Sequence, residues 1–570
     1  MTVAEYIADF IESKGIKNVF QLAGGMITQL IDKIEEKKSV KIQSLLHEQS
    51  CAFAVSAVGR LKNLPSVAFA TSGPGATNLL TGIGDCFFDS VPAIFITGQV
   101  NSYELNTNKG IRQLGFQETD IVSMTRPITK LSYQIKNPDE IVKYLDHAYD
   151  VSILGRPGPV LIDIPMNIQR SKISENVLNK KKLEESEGID VGQIDQILDE
   201  LKKAKKPIIW AGNGIHCANS EKIFRKFVLK TNIPVVLTLH AVDLLETLNP
   251  NRIGFIGSYG NRHANKSIKE SDCILFLGAR IDIRQTGANL SLFKDKKIIR
   301  IDCEEEELKN RINPHISLKT DINPFLKQIL KKINSSGFSY NEWHDQIRTL
   351  KNQFPIEQEI HSQNTLVNPI IFLDKLSKYN SEKTIYSVDV GSHQMWAAQV
   401  LNFHKGDRFL TSGGMGSMGF ALPASIGAAI ESNKQVIAII GDGSFQINIQ
   451  ESHTISRLKL NIKIVIINND SLGMIRQFQD TYFESRYIGT KWGYTTPDFC
   501  KISQAYQIDS KKITENREID NALDWFFEDD VPKLLEVGVS SELNVYPKIA
   551  FGQTMDKMEP DHSSKMIEST

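Results

Sequence analysis

Gly441-Asp442-Gly443 and Asn468-Asn469 each close a short apolar run, QVIAII and IKIVII, and 24 residues lie between them. Runs of that length and composition read as buried parallel strands. The intervening SFQINIQESHTISRLKL reads mostly as a crossover helix, because parallel neighbours need a dozen or more residues to return and do so right-handedly. Adjacent strands lie about 4.8 Å apart, so Asp442 and Asn469 can meet at the carboxyl ends of their strands, where open α/β sheets bind ligands. A carboxylate and an amide oxygen suit Mg2+, which takes oxygen ligands and shares phosphate oxygens. Gly441 and Gly443 let the backbone turn sharply and come close to such a phosphate, and the helix start that follows favours negative charge. A lone Gly-Asp-Gly would be an ordinary strand–turn–helix; the full spacing is what points to a metal–phosphate site.

The rest of the chain repeats this layering. At 570 residues it exceeds a single core and suggests about three domains. Residues 1–170 alternate helical patterns with the strands VAFAT (67–71), AIFITG (93–98) and VLIDIP (160–165). A charged stretch, 171–190, reads as a linker. The segment 190–332 follows, with strands at 206–212, 233–239, 273–279 and 297–302. The polar, weakly helical stretch 333–360 reads as a second linker, 365–550 as a third α/β segment, and 551–570 as a polar tail. The expected fold is therefore α/β, three doubly wound parallel-sheet domains. Hydrophobic residues make up 41% and charged residues 23%, with net charge −1 and no long basic run, which argues against nucleic acid as a partner. No apolar run nears the roughly 20 residues of a membrane span. The amphipathic, acid-containing start is unlike a signal peptide, and six scattered cysteines without CxxC pairs suit reduced thiols in a cytoplasmic protein.

The Gly-Asp-Gly…Asn-Asn pair resembles the thiamine diphosphate motif. HEQSCAFAVSAVGR (47–60), TSGPGATNLLTGI (71–83), GFQETD (115–120), GRPGPVLIDIP (155–165), VGSHQMWAAQ (390–399), TSGGMGSMGFALPASIGA (411–428) and GDGSFQINIQE (441–451) stand in the order of one family. Over nearly its full length the chain resembles the acetolactate (acetohydroxyacid) synthase catalytic subunits. The resemblance implies the thiamine diphosphate-dependent enzyme fold, with pyrimidine-binding, FAD-binding-like and diphosphate/Mg-binding domains in that order. Glu48 would hydrogen-bond the cofactor's aminopyrimidine and promote loss of the thiazolium proton, on cofactor held by a partner subunit. Asp442, Asn469 and the Ser471 carbonyl would hold Mg2+. Gly391, His393 and Gln394 would lie around the diphosphate with Gly441, Gly443 and Ser444. Gly416, Met418 and Met474 would line the rest, Met418 supporting the cofactor's bent form. Phe116 and Gln117 would project into a partner's substrate cavity, and Lys130 has a family counterpart with a less defined catalytic role.

In the middle segment, Gly212, Gly214, Thr238 and Leu239 match positions along an FAD nucleotide, as do Gly257, Gly260, Arg280 and Asp302. Arg280 could pair with phosphate, and in the synthases the flavin is structural, not redox. Ser258-Tyr259 replaces the usual Met-His before Gly260. Arg284 matches the arginine that binds the acceptor's carboxylate, and a planar guanidinium suits that task; an FAD contact or an acidic neighbour is the other reading. Phe478 stands where the biosynthetic synthases carry a tryptophan favouring 2-ketobutyrate. Ile283 replaces an aspartate, Met166 a lysine, and NTNKGIRQL (106–114) also differs. One methylene is worth only about 1–3 kcal/mol in discrimination, so weak preference for 2-ketobutyrate is expected. The implied activity is decarboxylation of pyruvate and transfer of its two-carbon unit to a second 2-keto acid, forming acetolactate for branched-chain amino-acid biosynthesis. Transfer to a keto-sugar nucleotide, or a decarboxylase or oxidase reaction, is the alternative. A homodimer or homotetramer, with or without a separate regulatory subunit, is the implied assembly.

Overall fold

The computed structural model describes residues 1–106, 110–175, 191–333, 337–359, 366–379 and 383–561. It contains three six-stranded sheets, one after another along the chain, with parallel pairing throughout each. The first comprises β1 (Asn18–Gln21), β2 (Lys41–Ser44), β3 (Ser66–Ala70), β4 (Ala93–Gln99), β5 (Leu131–Gln134) and β6 (Pro159–Pro165), in the order β2-β1-β3-β4-β6-β5. The second comprises β7 (Pro207–Ala211), β8 (Val235–Leu237), β9 (Arg252–Phe255), β10 (Cys273–Leu277), β11 (Lys297–Asp302) and β12 (Ile316–Lys319), ordered β12-β11-β10-β7-β8-β9. The third comprises β13 (Ile385–Val388), β14 (Arg408–Leu410), β15 (Val436–Gly441), β16 (Ile462–Asn468), β17 (Asp509–Ile513) and β18 (Lys533–Gly538), ordered β14-β13-β15-β16-β18-β17. Strands such as β4, β6 and β15 are buried at every residue, because helices cover both faces of a parallel sheet.

The order reverses direction between β1 and β3, between β7 and β10, and between β13 and β15, and in the first and third sheets the last two strands also exchange places at the far edge. At such a switch point the two following loops leave in opposite directions and open a crevice at the strand ends. The first and third domains pack through helices Glu48–Lys62 and Ala421–Ser432. A Cβ on Gly427 would stand 2.3 Å from the Ala54 carbonyl oxygen, so only glycine allows that approach. Phe53 meets Phe420 edge-on at 5.4 Å across the same contact.

Three expectations change in detail. The crossover after β15 is two helices, Asp442–Ile447 and Glu451–Leu458. Asn448 breaks it, leaving helical geometry (φ −125°) while its amide donates to the Gly419 carbonyl and to Gln49. The stretch read as a second linker contains helix Asn341–Gln353, whose Trp343 is buried and donates to the Pro207 carbonyl. The weak helical signal was right; what the polar composition hid is its packing on the middle domain, because a few buried side chains suffice to dock a short helix. The start of the polar tail folds back on the middle domain. Met555 is buried there, Met558 gives its carbonyl to Arg262, and Lys548–Ile549 pairs with Met558–Glu559. Residues 176–190, most of the first linker, lie outside the described residues, as do Thr107, Asn108 and Lys109. Among the described residues no helix is long and apolar enough to cross a membrane.

The middle and third domains are joined by buried charge. His216 sits between Glu221 at 2.7 Å and Asp243 at 2.8 Å, and Asp243 also accepts from Arg408 Nε and the Phe409 amide. Burial, with Arg408 nearby, opposes protonation of His216; Asp243 and Glu221 outweigh them and raise its pKa. A raised folded-state pKa contributes stability fully below the unfolded value and loses it as pH rises through the folded one. The unfolding midpoint should therefore fall as pH rises above about 6.5. His216→Gln should flatten that fall; an unchanged slope in paired denaturation curves would rule the histidine out.

Candidate active site

The crevice between β13 and β15 collects the Gly-Asp-Gly and Asn-Asn residues. Gly441 pairs with Ile467 in register, so Asp442 and Asn469 leave neighbouring strands at the same level. The His393 ring covers both glycines: a Cβ on Gly391 would lie 2.5 Å from it and one on Gly441 2.8 Å. A Cβ on Gly473 would meet Asn469 Nδ2 and Ser392 Oγ, each at 2.7 Å. Met418 reaches in from the next loop, its methyl 3.4 Å from where a Gly443 Cβ would stand, and the Tyr494 hydroxyl faces the same glycine. Side chains thus crowd every glycine here, and the remaining space is a backbone-lined cradle.

Four polar atoms around it, Asp442 Oδ2, Ser471 Oγ, Ser392 Oγ and His393 Nε2, are buried without a hydrogen bond among the described residues. Such orphans are costly and call for a ligand. Burial pushes the Asp442 carboxyl up to about 7, which a bound cation would reverse. Burial also takes His393 down to about 3, so the imidazole is neutral and can donate one hydrogen bond. An acid, an amide and neutral donors fit an Mg2+–diphosphate group.

Not every candidate points into this cradle. Gln394 donates to Thr411 Oγ1 at 2.7 Å and the Ser412 carbonyl, fastening the loop before Met418. Ser444 Oγ donates to the Val390 carbonyl. Met474 packs on the third-domain core. Sequence reasoning passed over Asp389, one residue before the quoted VGSHQ. Its carboxylate accepts from the amides of Val390, Gly419 and Ala421 at 2.8–3.0 Å, tying the β13 loop to the Met418 loop. Ser392 was inside the motif and Tyr494 far from any; no pattern marked either.

The first-domain crevice, between β1 and β3, holds Glu48. The residue opens helix Glu48–Lys62, capped by His47, whose Nδ1 accepts from the Gln49 amide. Its carboxylate is 6% exposed, accepts from Asn78 Nδ2 at 2.9 Å, and stands 3.2 Å from where a Gly75 Cβ would be. Gln117 lies at the same crevice. A Cβ on Gly73 would touch its side chain at 3.0 Å, and its own φ of +65° is held by Ser72 Oγ donating to its carbonyl. Phe116 beside it is 82% exposed. Among the described residues no hydrogen bond links the Glu48 carboxylate to the Asp442 cradle of the same chain. Lys130 does not join this cluster. Its ammonium donates to the carbonyls of Leu154 and Arg156 at 2.7 Å each, so the geometry gives it a loop-fastening role in place of a catalytic one.

A third crevice, between β7 and β10, opens into a cavity of about 320 Å3 shared by the three domains. Gly214, Thr238, Leu239, Arg280 and Asp302 line it, together with Arg284. Gly212, Gly257 and Gly260 lie outside its lining and allow backbone approach: Cβ atoms there would come within 2.2, 2.8 and 2.6 Å of other backbone. Arg280 is engaged by Asp282 at 2.8 Å. Arg284 makes no hydrogen bond or ion pair among the described residues, while its carbonyl accepts from Ser258 N and Oγ. Asp321 and Asn323, beyond β12, also line the cavity; their spacing carried no signal. Phe478 is 53% exposed on helix Gly473–Tyr482, in an aromatic group with Tyr482 at 4.6 Å and Phe483 at 5.8 Å.

Comparison with known proteins agrees with this geometry. The N-terminal TPP-binding, central and C-terminal TPP-binding domain models of thiamine pyrophosphate enzymes match residues 1–124, 194–329 and 389–537. The acetolactate synthase isozyme 2 large subunit of Escherichia coli (strain K12) is 32% identical, covering 98% of this chain and 99% of its own. The acetolactate synthase large subunit of Cyanidium caldarium is 34% identical over 98% and 96%, and that of Lactococcus lactis subsp. lactis (strain IL1403) 34% over 97% and 95%. With three crevices at three switch points, and relatives that match from end to end, this chain belongs to the acetolactate synthase large-subunit family of thiamine pyrophosphate enzymes.

Proposed function

We propose that the protein decarboxylates pyruvate and joins the two-carbon unit to a second 2-keto acid, forming acetolactate. The observation that carries this reading is Arg284, a guanidinium without a protein partner among the described residues, in a cavity that runs to the Gly416 loop beside the diphosphate cradle. A carboxylate-bearing acceptor is what such a cation would hold. Bound thiamine diphosphate supplies a thiazolium that accepts the electrons released with carbon dioxide.

The chain's own residues do the rest. Asp442, Asn469 and the Ser471 carbonyl would hold Mg2+, and His393 and the backbone of Gly391, Gly441 and Gly443 would hold the diphosphate. Met418 would pack against the cofactor. Glu48 would hold a proton at the aminopyrimidine ring. A second copy would supply Glu48 to the cradle, so a homodimer is the minimum active unit. Exposed Phe116, with Gln117, then closes over the partner's substrate and excludes water. Phe478 and Met474, one helical turn apart, border the acceptor, and without an indole there 2-ketobutyrate gains little over pyruvate. The middle-domain cavity would take FAD in a non-redox role, with Asp302 near its polar end and Arg280 released from Asp282 to meet phosphate. The relatives' designation as large subunits supports a smaller regulatory partner.

Mass spectrometry of products from labelled pyruvate, offered with pyruvate, 2-ketobutyrate and a 4-keto-sugar nucleotide, tests the assignment. Acetolactate should dominate; labelled carbon appearing only in the sugar would overturn it. Arg284→Ala should cut acetolactate formation by about 10–100-fold, as for a lost charge-assisted pair worth 1.5–3 kcal/mol, while carbon dioxide release persists. Equal loss of both rates would remove Arg284 from the acceptor site.

A further inference from the structure

Asp89 follows helix Leu80–Phe88 of the first domain, yet most of its partners belong to the other two. Its buried carboxylate accepts from the amides of Gly413 at 2.9 Å and Gly414 at 2.7 Å. Arg60 Nη2 donates to it at 2.9 Å, and His240 Nε2 of the middle domain stands 3.1 Å away. Burial alone would raise its pKa; His240 and Arg60 outweigh this and hold it well below the usual carboxylate range. Three domains therefore meet on one ionised side chain.

Those two amides begin the loop that carries Gly416 and Met418. Asp389 fixes the far end of this loop from within the third domain, through Gly419 and Ala421; Asp89 fixes the near end from another domain. The approach tolerates only glycine. A Cβ on Gly413 would lie 2.2 Å from His240 Nε2, and one on Gly414 2.7 Å from Phe88 Cβ and 2.9 Å from Asp89 Oδ1. Asp89, His240, Gly413 and Gly416 also line the shared cavity. Arg60 does not depend on Asp89 for charge compensation, since Asp85 lies 3.1 Å from the same nitrogen.

We propose that Asp89 is a positioning residue for thiamine diphosphate: it sets the Gly413–Met418 loop, and with His240 couples that loop to whatever fills the middle-domain cavity. This rests on the reading of Met418 as the residue that backs the cofactor. Asp89 touches no reacting atom and acts through the loop.

The test compares Asp89→Asn and Gly414→Ala, which disturb the latch by charge and by bulk, with Ser56→Ala, which removes a hydroxyl that donates to Asp85 and accepts from Arg60 Nε in the same buried cluster. Calorimetric titration of each full-length apoprotein with thiamine diphosphate at saturating Mg2+ gives Kd, and thermal denaturation gives stability. Both latch variants should bind the cofactor about tenfold more weakly, the scale of losing a buried charged hydrogen bond. Pyruvate KM at saturating cofactor should change less than about twofold, as a uniform-binding loss confined to the cofactor requires. Ser56→Ala should lower the melting temperature while keeping the wild-type Kd. If Ser56→Ala weakens the cofactor as much as Asp89→Asn, the cluster is merely structural and the proposal fails. It also fails if the latch variants bind normally while Met418→Ala binds weakly. If Met418→Ala binds normally too, the reading of the loop fails and takes the proposal with it.

Discussion

Replacing Glu48 by glutamine should lower kcat for acetolactate formation by about 10^2–10^4-fold, the range for a positioned acid–base group, with cofactor Kd changed far less. The substitution keeps the volume and the contact with Asn78 Nδ2 at 2.9 Å, because an amide oxygen can accept that bond. What it removes is a carboxylate able to share a proton with the aminopyrimidine ring. The helix start should tolerate it, since His47 supplies the cap to Gln49. Steady-state kinetics beside calorimetric titration separates the two effects. A variant that keeps kcat within about threefold would fall outside the range expected of an acid–base group and would take Glu48 out of the mechanism.

Asp442→Ala should affect an earlier step. Removing a carboxylate that ligates the metal should weaken Mg2+-dependent thiamine diphosphate binding by at least about 100-fold, the upper end of what even outer-shell metal partners contribute. The apoprotein should be no less stable than the wild type. Asp442 is only 3% exposed, and burial outweighs its hydrogen bonds from Gly443, Ser471 and Tyr494 to push the carboxyl up to about 7, so its charged form opposes folding when the site is empty. Loss of binding with an unchanged or raised apoprotein melting temperature is the expected pair of results. A lowered melting temperature with normal binding would make Asp442 a structural residue.

These predictions draw on different sources. The Asp442–Asn469 pairing was legible in the chain because local rules converge on it: two apolar strands, a crossover of fixed length, and glycines where backbone must come close. The parallel sheets were legible for the same reason, since a strand buried on both faces reads as an unbroken run such as VLIDIP. The docking of helix Asn341–Gln353, the break at Asn448 and the seat of Met555 were not. Each depends on a partner remote in sequence, respectively Pro207, Gly419 and the middle-domain core. Lys130 is a different case. A family position suggested chemistry, but two carbonyls of the 154–156 loop take up its ammonium.

The sequence by itself determined the three layered domains and the residue types suited to a metal, a diphosphate and a proton, because strand burial, crossover length and glycine placement are local or nearly local constraints. Only the tertiary structure decided how these parts are held against each other. Asp389 ties one loop to the next, Asp89 carries a first-domain charge to third-domain amides, and the Arg284 guanidinium, without a partner among the described residues, faces a cavity shared by all three domains. The reason is physical: a buried carboxylate or a free guanidinium is defined by what surrounds it in space, and those neighbours come from segments hundreds of residues apart.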